Sequence, residues 1–410
     1  MIAPKPACRS CESAALAPVL SLGATPLANS LLTEAQLTLP EPRFPLDVAF
    51  CGSCSLLQIT SAPPPEDLFS DYLYFSSFSE TMLKHSRAIA HRVANQRELN
   101  DDSLVVEVAS NDGYLLQFYK ELGVPVLGIE PARNVALVAQ EKRGIPTLVE
   151  FFGRALAQRL RDEGKLADVI HANNVFAHVP DLNGFVAGLA TALKDGGVAI
   201  IEFPYVGDMI AHCEFDTIYH EHLSYFSLTA VDALTRRHGL VVVDVERLPI
   251  HGGSLRVFLE KGHGVAKSRA ADLLEQEARD GVAGLPYYSQ FATRVAELKD
   301  ATRRLLGSLK GDGKTIAAYG AAAKGSTLLN YFGIGRETLD FVADRSTYKQ
   351  NRFMPGVHVP IVSPDRLLER QPDYTLLLTW NFAEEILEQQ AEYRLRGGKF
   401  VIPVPDCRIV

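Results

Sequence analysis

The 410 residues are too many for one hydrophobic core, so two or three domains are expected. Hydrophobic residues at 47% and charged residues at 22% describe a globular chain rather than a disordered one. A net charge of -8 without a dense Lys/Arg run argues against nucleic acid or an anionic membrane as partner. No stretch is long and apolar enough for a bilayer span or a signal peptide, so the expected location is cytoplasmic.

Four of the six cysteines form two Cys-x-x-Cys pairs, Cys8/Cys11 and Cys51/Cys54, separated by a proline-rich stretch. Four thiolates in two knuckles suit a closed tetrahedral zinc site, which stabilises a segment too small for a large core. A redox dithiol would follow a strand and open a helix, which neither pair does. Residues 1–69 are therefore expected to be a zinc-binding unit, with Pro63-Pro-Pro65 near its end.

Residues 70–265 are expected to form the second unit. It opens with a dense aromatic and hydroxyl stretch, Asp71-Tyr-Leu-Tyr74-Phe-Ser-Ser77, which suits either a docking surface or a pocket for a polyhydroxylated ligand. Candidate strands then follow at Leu104–Ala109, Val126–Glu130, Thr147–Glu150, Asp168–Ala172 and Val198–Phe203, with helical runs between. That alternation predicts a parallel, doubly wound α/β sheet, closed by an antiparallel hairpin over Leu240–Glu246 and Ser254–Glu260. Glu107, Ala109, Asn111, Asp112 and Gly113 occupy the first strand-to-helix turn, and Glu130-Pro131 ends the next strand. A lone glycine for close backbone approach, plus an acid to accept ribose hydroxyls, fits S-adenosyl-L-methionine. A dinucleotide would call for Gly-x-Gly-x-x-Gly, which is missing. Asn173, Asn174 and His178 follow the fourth strand, where side chains face a cofactor's reactive end.

The densest chemistry is Tyr219-His220-Glu221-His222, on the carboxyl side of the fifth strand. Two imidazoles, a carboxylate and a phenol in four residues suit proton transfer, and a polar turn with solvated histidines is the plainer alternative. A metalloprotease helix is excluded, because His-Glu-x-x-His would place histidine at Ser224.

Residues 266–410 are expected to be a third unit: helices to about 309, then a second α/β element. Its turn Tyr319-Gly320-Ala321-Ala-Ala-Lys324-Gly325 offers amides and an ammonium suited to a diphosphate, and Asp344, Lys349 and Arg352 add charge nearby. A tightly packed turn would read the same way.

The two cysteine pairs, Tyr74-Phe-Ser-Ser77, Glu107-Val-Ala-Ser-Asn-Asp-Gly113, Asn174-Val-Phe-Ala-His178, Tyr219-His-Glu-His222, His251-Gly-Gly-Ser-Leu-Arg256 and Tyr319–Gly325 occur in this order. Together they resemble the S-adenosylmethionine-dependent nucleotide-sugar C-methyltransferases across nearly the whole chain. The resemblance implies a class I methyltransferase domain between a zinc-binding unit and a C-terminal unit that helps hold the nucleotide-sugar. It further implies a nucleotide-linked 4-keto deoxysugar as substrate, methylated at C3. His222 would then be the base and Glu221 would orient it, while Tyr219 and His178 steady the oxyanion and Tyr74, or else Tyr72, closes the pocket. An O- or N-methyltransferase, and a nicotinamide-dependent sugar oxidoreductase, are the competing enzyme classes; a non-catalytic sugar-nucleotide binding protein is the third alternative. Nothing in the sequence sets an oligomeric state.

Overall fold

The computed structural model describes residues 6–63, 76–262 and 268–410. Tyr72 and Tyr74, together with the two expected domain boundaries near 69 and 265, lie outside the described residues. Three sheets organise the rest.

The first is antiparallel and joins β1 (Leu16–Thr25), β2 (Phe44–Cys51) and β3 (Leu57–Ile59) to β9 (Ser224–Tyr225). Alternation along β2 buries Leu46 and Val48 against β1 before the strand delivers Cys51. Its fourth strand comes from the segment directly after His222, with Leu57 opposite Tyr225.

The second sheet contains β4 (Val105–Val108), β5 (Val126–Ile129), β6 (Thr147–Leu148), β7 (Ala167–Asn173), β8 (Leu193–Pro204), β10 (Leu240–Leu248) and β11 (Ser254–Lys261). Their order is β10-β11-β8-β7-β4-β5-β6, with β4 to β8 parallel and the final hairpin antiparallel. The strand-and-hairpin pattern read from the sequence is thus the sheet found, and it is a class I methyltransferase sheet. Strand β4 is buried throughout and β7 nearly so, as expected of a sheet covered on both faces, although they carry the polar Glu107, His171 and Asn173. Neighbouring β4 and β7 lie where the strand order reverses, so their carboxyl ends open on the crevice that serves as a binding site in such sheets.

Helices Ser268–Asp280, Leu285–Tyr288 and Phe291–Gly311 lead to the third sheet. It comprises β12 (Ile316–Tyr319), β13 (Val342–Ala343), β14 (Ile361–Val362), β15 (Tyr374–Leu377), β16 (Lys399–Ile402) and β17 (Arg408–Ile409), ordered β14-β13-β12-β15-β16-β17. One continuous apolar core runs from the first sheet into the third, through Met209, Phe215 and Ile218. Among the described residues, no helix is long and apolar enough to cross a membrane.

Candidate active site

At the carboxyl end of β4 the chain turns through three left-handed residues: Ala109 (φ 55°), Asn111 (φ 49°) and Gly113 (φ 77°). Alanine adopts such a conformation only at a cost of roughly 1–3 kcal/mol, strain that concentrates at ligand sites. The turn is pinned by Glu130 at the end of β5, whose two carboxylate oxygens accept the Asn111 and Ala132 amides at 2.9 and 2.8 Å. Burial raises the Glu130 pKa, and those two amides oppose the rise. Across the crevice β7 ends in buried Asn173, and Asn174 is again left-handed (φ 54°), its amide held by the Glu202 carbonyl.

The polar atoms here that lack partners among the described residues are largely acceptors: Oδ1 of Asp112, Asn173 and Asn174. A ligand rich in donors, such as an ammonium and ribose hydroxyls, fits that imbalance. Glu107 is closed to solvent, and burial next to Asp112 and Glu130 lifts its pKa well above the carboxylate range. Ala109, Pro131 and Asn174 are the half-buried positions of the expected cofactor set, while the others are buried. Ser76 and Ser77 dock onto this turn: the Ser76 amide donates to Asn111 Oδ1 at 3.0 Å and the Ser77 hydroxyl donates to Asp112.

From Asn174 a short turn, Phe176–His178, leads into the second cluster. The Ala177 carbonyl accepts the Leu223 amide, and the His178 and His222 rings meet edge to face at 4.8 Å. His222 Nδ1 lies 2.8 Å from the Thr217 carbonyl, which can only accept, so Nδ1 carries the proton. Nε2 therefore bears the lone pair, and the Tyr219 hydroxyl, 2.8 Å away, donates to it. Burial brings His178 down to about 4, so it is neutral at working pH. Burial takes Glu221 the other way, up to about 7, opposed by a 2.6 Å hydrogen bond from Asn29. His220 is turned away from this group and faces the Phe44 and Pro45 carbonyls at 3.2 Å. The arrangement can remove a proton at one nitrogen beside two groups able to stabilise negative charge.

The four sulfurs of Cys8, Cys11, Cys51 and Cys54 lie within 4.8 Å of one another. A tetrahedral zinc with bonds of about 2.3 Å holds sulfurs about 3.8 Å apart, so the cluster fits the ion. The Cys54 thiol pulls Cys8 down to about 5, while the same contact pushes Cys54 up. A bound cation is what allows all four to ionise.

The expected phosphate turn is more self-contained. Gly320 has φ 97°, and a Cβ there would lie 2.5 Å from Thr379 Oγ1. The Ala321 amide donates to Asp344 at 2.7 Å and Lys349 to the Ala321 carbonyl at 2.9 Å. Tyr319 is buried at the end of β12, Gly325 is buried in the following helix, and Arg352 is half-buried. Lys324 reaches back toward the methyltransferase sheet, 4.0 Å from Glu214 and over the Trp380 ring. Trp380 in turn donates to buried Asp216 at 2.7 Å, the residue before Thr217, whose carbonyl holds His222.

Sequence reasoning passed over Asn29, Thr217, Asp216 and the Glu202–Arg256–His85 contacts beneath the crevice. Each works through a partner 5 to 192 positions away, and no local spacing announces it.

Family models match three stretches. A zinc binding domain covers residues 8–69, a methyltransferase domain residues 82–245, and a C-methyltransferase C-terminal domain residues 249–405. The chain is 36% identical over 412 residues to C-methyltransferase NovU of Streptomyces niveus, spanning 100% of this chain and 98% of that protein. It is 29% identical over 97 residues to the ubiquinone biosynthesis O-methyltransferase of Bartonella quintana, covering 24% of this chain and 39% of the relative. Among solved structures, magnesium protoporphyrin IX methyltransferase from Synechocystis with bound SAM aligns at 13% identity and a TM-score of 0.34, over 44% of this chain and 79% of that one. The PH0226 protein of Pyrococcus horikoshii aligns at 13% identity and a TM-score of 0.38, over 49% and 100%.

Proposed function

This chain belongs to the S-adenosylmethionine-dependent C-methyltransferase family, and on that premise we propose that it methylates C3 of a nucleotide-linked 4-keto deoxysugar in the cytoplasm. The observation that carries the reading is the Thr217–His222–Tyr219 hydrogen-bond chain, which leaves a basic nitrogen beside a phenol at the mouth of the cofactor crevice. A hydrogen next to a ketone is the kind of C–H that an imidazole can remove when the oxyanion is stabilised. The nucleotide-sugar rests on the ordered motifs, and the division of labour follows from it. Residues 1–69 bind zinc and support the catalytic loop, 70–265 hold the cofactor, and 266–410 help hold the nucleotide.

His222 Nε2 takes the C3 proton and becomes imidazolium, with its Nδ1–H already anchored on Thr217. The C–H electron pair moves into the C3–C4 bond, and the ketone oxygen becomes an enolate. Tyr219 turns its hydroxyl from Nε2 to the ketone oxygen once the sugar is in place, which frees the lone pair for the C3 proton, and it then donates to the oxyanion together with His178. S-adenosylmethionine, when bound, would supply the electrophile: C3 would take the methyl as the S–CH3 bond breaks, with S-adenosylhomocysteine as the leaving group and the C4 ketone restored. Glu107, Ala109, Asn111, Asp112, Gly113, Glu130, Pro131, Asn173 and Asn174 are the residues that would hold the cofactor, and their surplus of acceptors supports that placement. Tyr319, Gly320, Ala321, Lys324, Gly325, Asp344, Lys349 and Arg352 are assigned to the nucleotide end. Tyr74 is assigned to closing the pocket, and it lies outside the described residues.

Incubation in deuterated water with a panel of nucleoside-diphosphate 4-keto deoxysugars tests the reading. Wild type is expected to exchange the C3 hydrogen, and His222→Ala to lose exchange and methylation together. Tyr219→Phe is expected to slow exchange and methylation together, on the order of 10²-fold, because the same enolate stands behind both. Exchange surviving in His222→Ala assigns the base to another residue.

A further inference from the structure

Asn29 sits on the loop between β1 and the short turn Glu34–Thr38, in the unit that carries the zinc cysteines. That loop is held at both ends: Thr25 pairs with Phe44, and Leu32 bridges to Phe353 of the C-terminal unit. Between these anchors Asn29 extends its side-chain amide 2.6 Å to Oε1 of Glu221, 192 residues away. Asn29 is exposed, whereas Glu221 retains 6% exposure. A surface residue with so short a bond to a buried carboxyl stands at the rim of the site, beside the segment that carries His222.

We infer that Asn29 is a positioning residue of the methyl-transfer reaction, which fixes from the zinc-bearing unit the Glu221 carboxyl of the segment that carries His222. The inference rests on the proposed placement of Glu221 in the reacting site. A single amide fork suits the task because it fixes a carboxylate in direction without adding charge. The titratable groups around Glu221 are Tyr219, His220 and His222 on its own segment, and His178, which bonds to the Glu221 backbone. Burial and Asn29 alone shift the carboxyl, and Asn29 pulls it down. Removing the amide therefore raises the pKa of Glu221 and lets its side chain swing.

The test is a double-mutant cycle of Asn29→Ala and Glu221→Gln in the full-length zinc-loaded enzyme. Turnover is followed against pH on the 4-keto sugar panel, with melting temperature and zinc content recorded for every variant. Asn29→Ala is expected to keep both near wild type, to lower kcat on the order of 10-fold to 100-fold, and to move the inflection carried by Glu221 to higher pH. In the Glu221→Gln background the same change is expected to have little further effect. Losses that multiply across the cycle, or an inflection that stays put in Asn29→Ala, overturn the inference while leaving Glu221 in the site. Wild-type turnover in Glu221→Gln removes Glu221 from the reaction, and the role of Asn29 falls with it.

Discussion

A carboxyl group with 6% exposure and a single donor from Asn29 is costly to ionise, and Glu221 is accordingly lifted from 4.5 to about 7. The sign follows from linkage. Below pH 4.5 the group is neutral folded and unfolded alike; above it the unfolded chain ionises first, so stability falls as pH rises and the loss is complete just above 7. At about 1.4 kcal/mol per pKa unit the whole effect is at most ~3 kcal/mol. Glu221→Gln removes the ionisation, so its melting temperature is expected to gain several degrees over wild type at pH 8 and little at pH 4.5. Equal shifts at both pH values would mean that the carboxyl is not the group being relieved. Retaining such a residue against its stability cost is the pattern expected of a functional group rather than a packing one. His178, held neutral by burial, shows the same pattern in an imidazole.

The turn after β4, to which the cofactor is assigned, rests on a local constraint. Gly113 stands at φ 77°, and a Cβ there would meet Ile145 Cγ1 at 3.0 Å and Ala139 Cβ at 3.4 Å. Gly113→Ala is expected to destabilise the protein by about 1–2 kcal/mol. Because the turn is continuous with Asn111 and Asp112, affinity for S-adenosylhomocysteine by calorimetry is expected to drop tenfold or more. A lower melting temperature with unchanged affinity would make Gly113 a folding residue alone. The strands of the central sheet are readable from short β-branched, mainly apolar stretches between helical periods, such as Val105–Val108, even though Glu107 interrupts it and Asp168, His171 and Asn173 interrupt Ala167–Asn173. The two-residue strand Ser224–Tyr225 was not, because only its pairing with Leu57 and Gln58 makes it a strand. The short β14 and β17, at the edges of the third sheet, escaped for the same reason. Lys324 has a contact that its turn does not announce: its ammonium lies 4.0 Å from Glu214, a pairing set by how the units meet.

At the scale of the whole molecule, the segment from Glu214 to Phe226 is gripped by all three sheets. β3 pairs with its Ser224 and Tyr225, Asn29 holds Glu221, and the Phe44 and Pro45 carbonyls face His220. From the other side Trp380 bonds to Asp216, and the Ala177 carbonyl receives Leu223. The zinc knuckle is tied to the same body, since Asn183 and Arg237 both donate to the Ser10 carbonyl at 2.9 and 2.8 Å. On the proposed assignment, zinc would act on the reaction without touching it, by fixing a small sheet whose far edge is the segment after His222. The turns assigned to the cofactor, by contrast, follow β4, β5 and β7, which pair with one another and with no strand of the zinc unit. Stripping zinc with a chelator is thus expected to abolish methyl transfer and sugar-proton exchange, while S-adenosylhomocysteine binding weakens by less than about tenfold, and re-adding zinc restores both activities. Loss of cofactor binding in step with turnover would mean that the cradle depends on the metal, and that the zinc unit supports the whole fold rather than one loop.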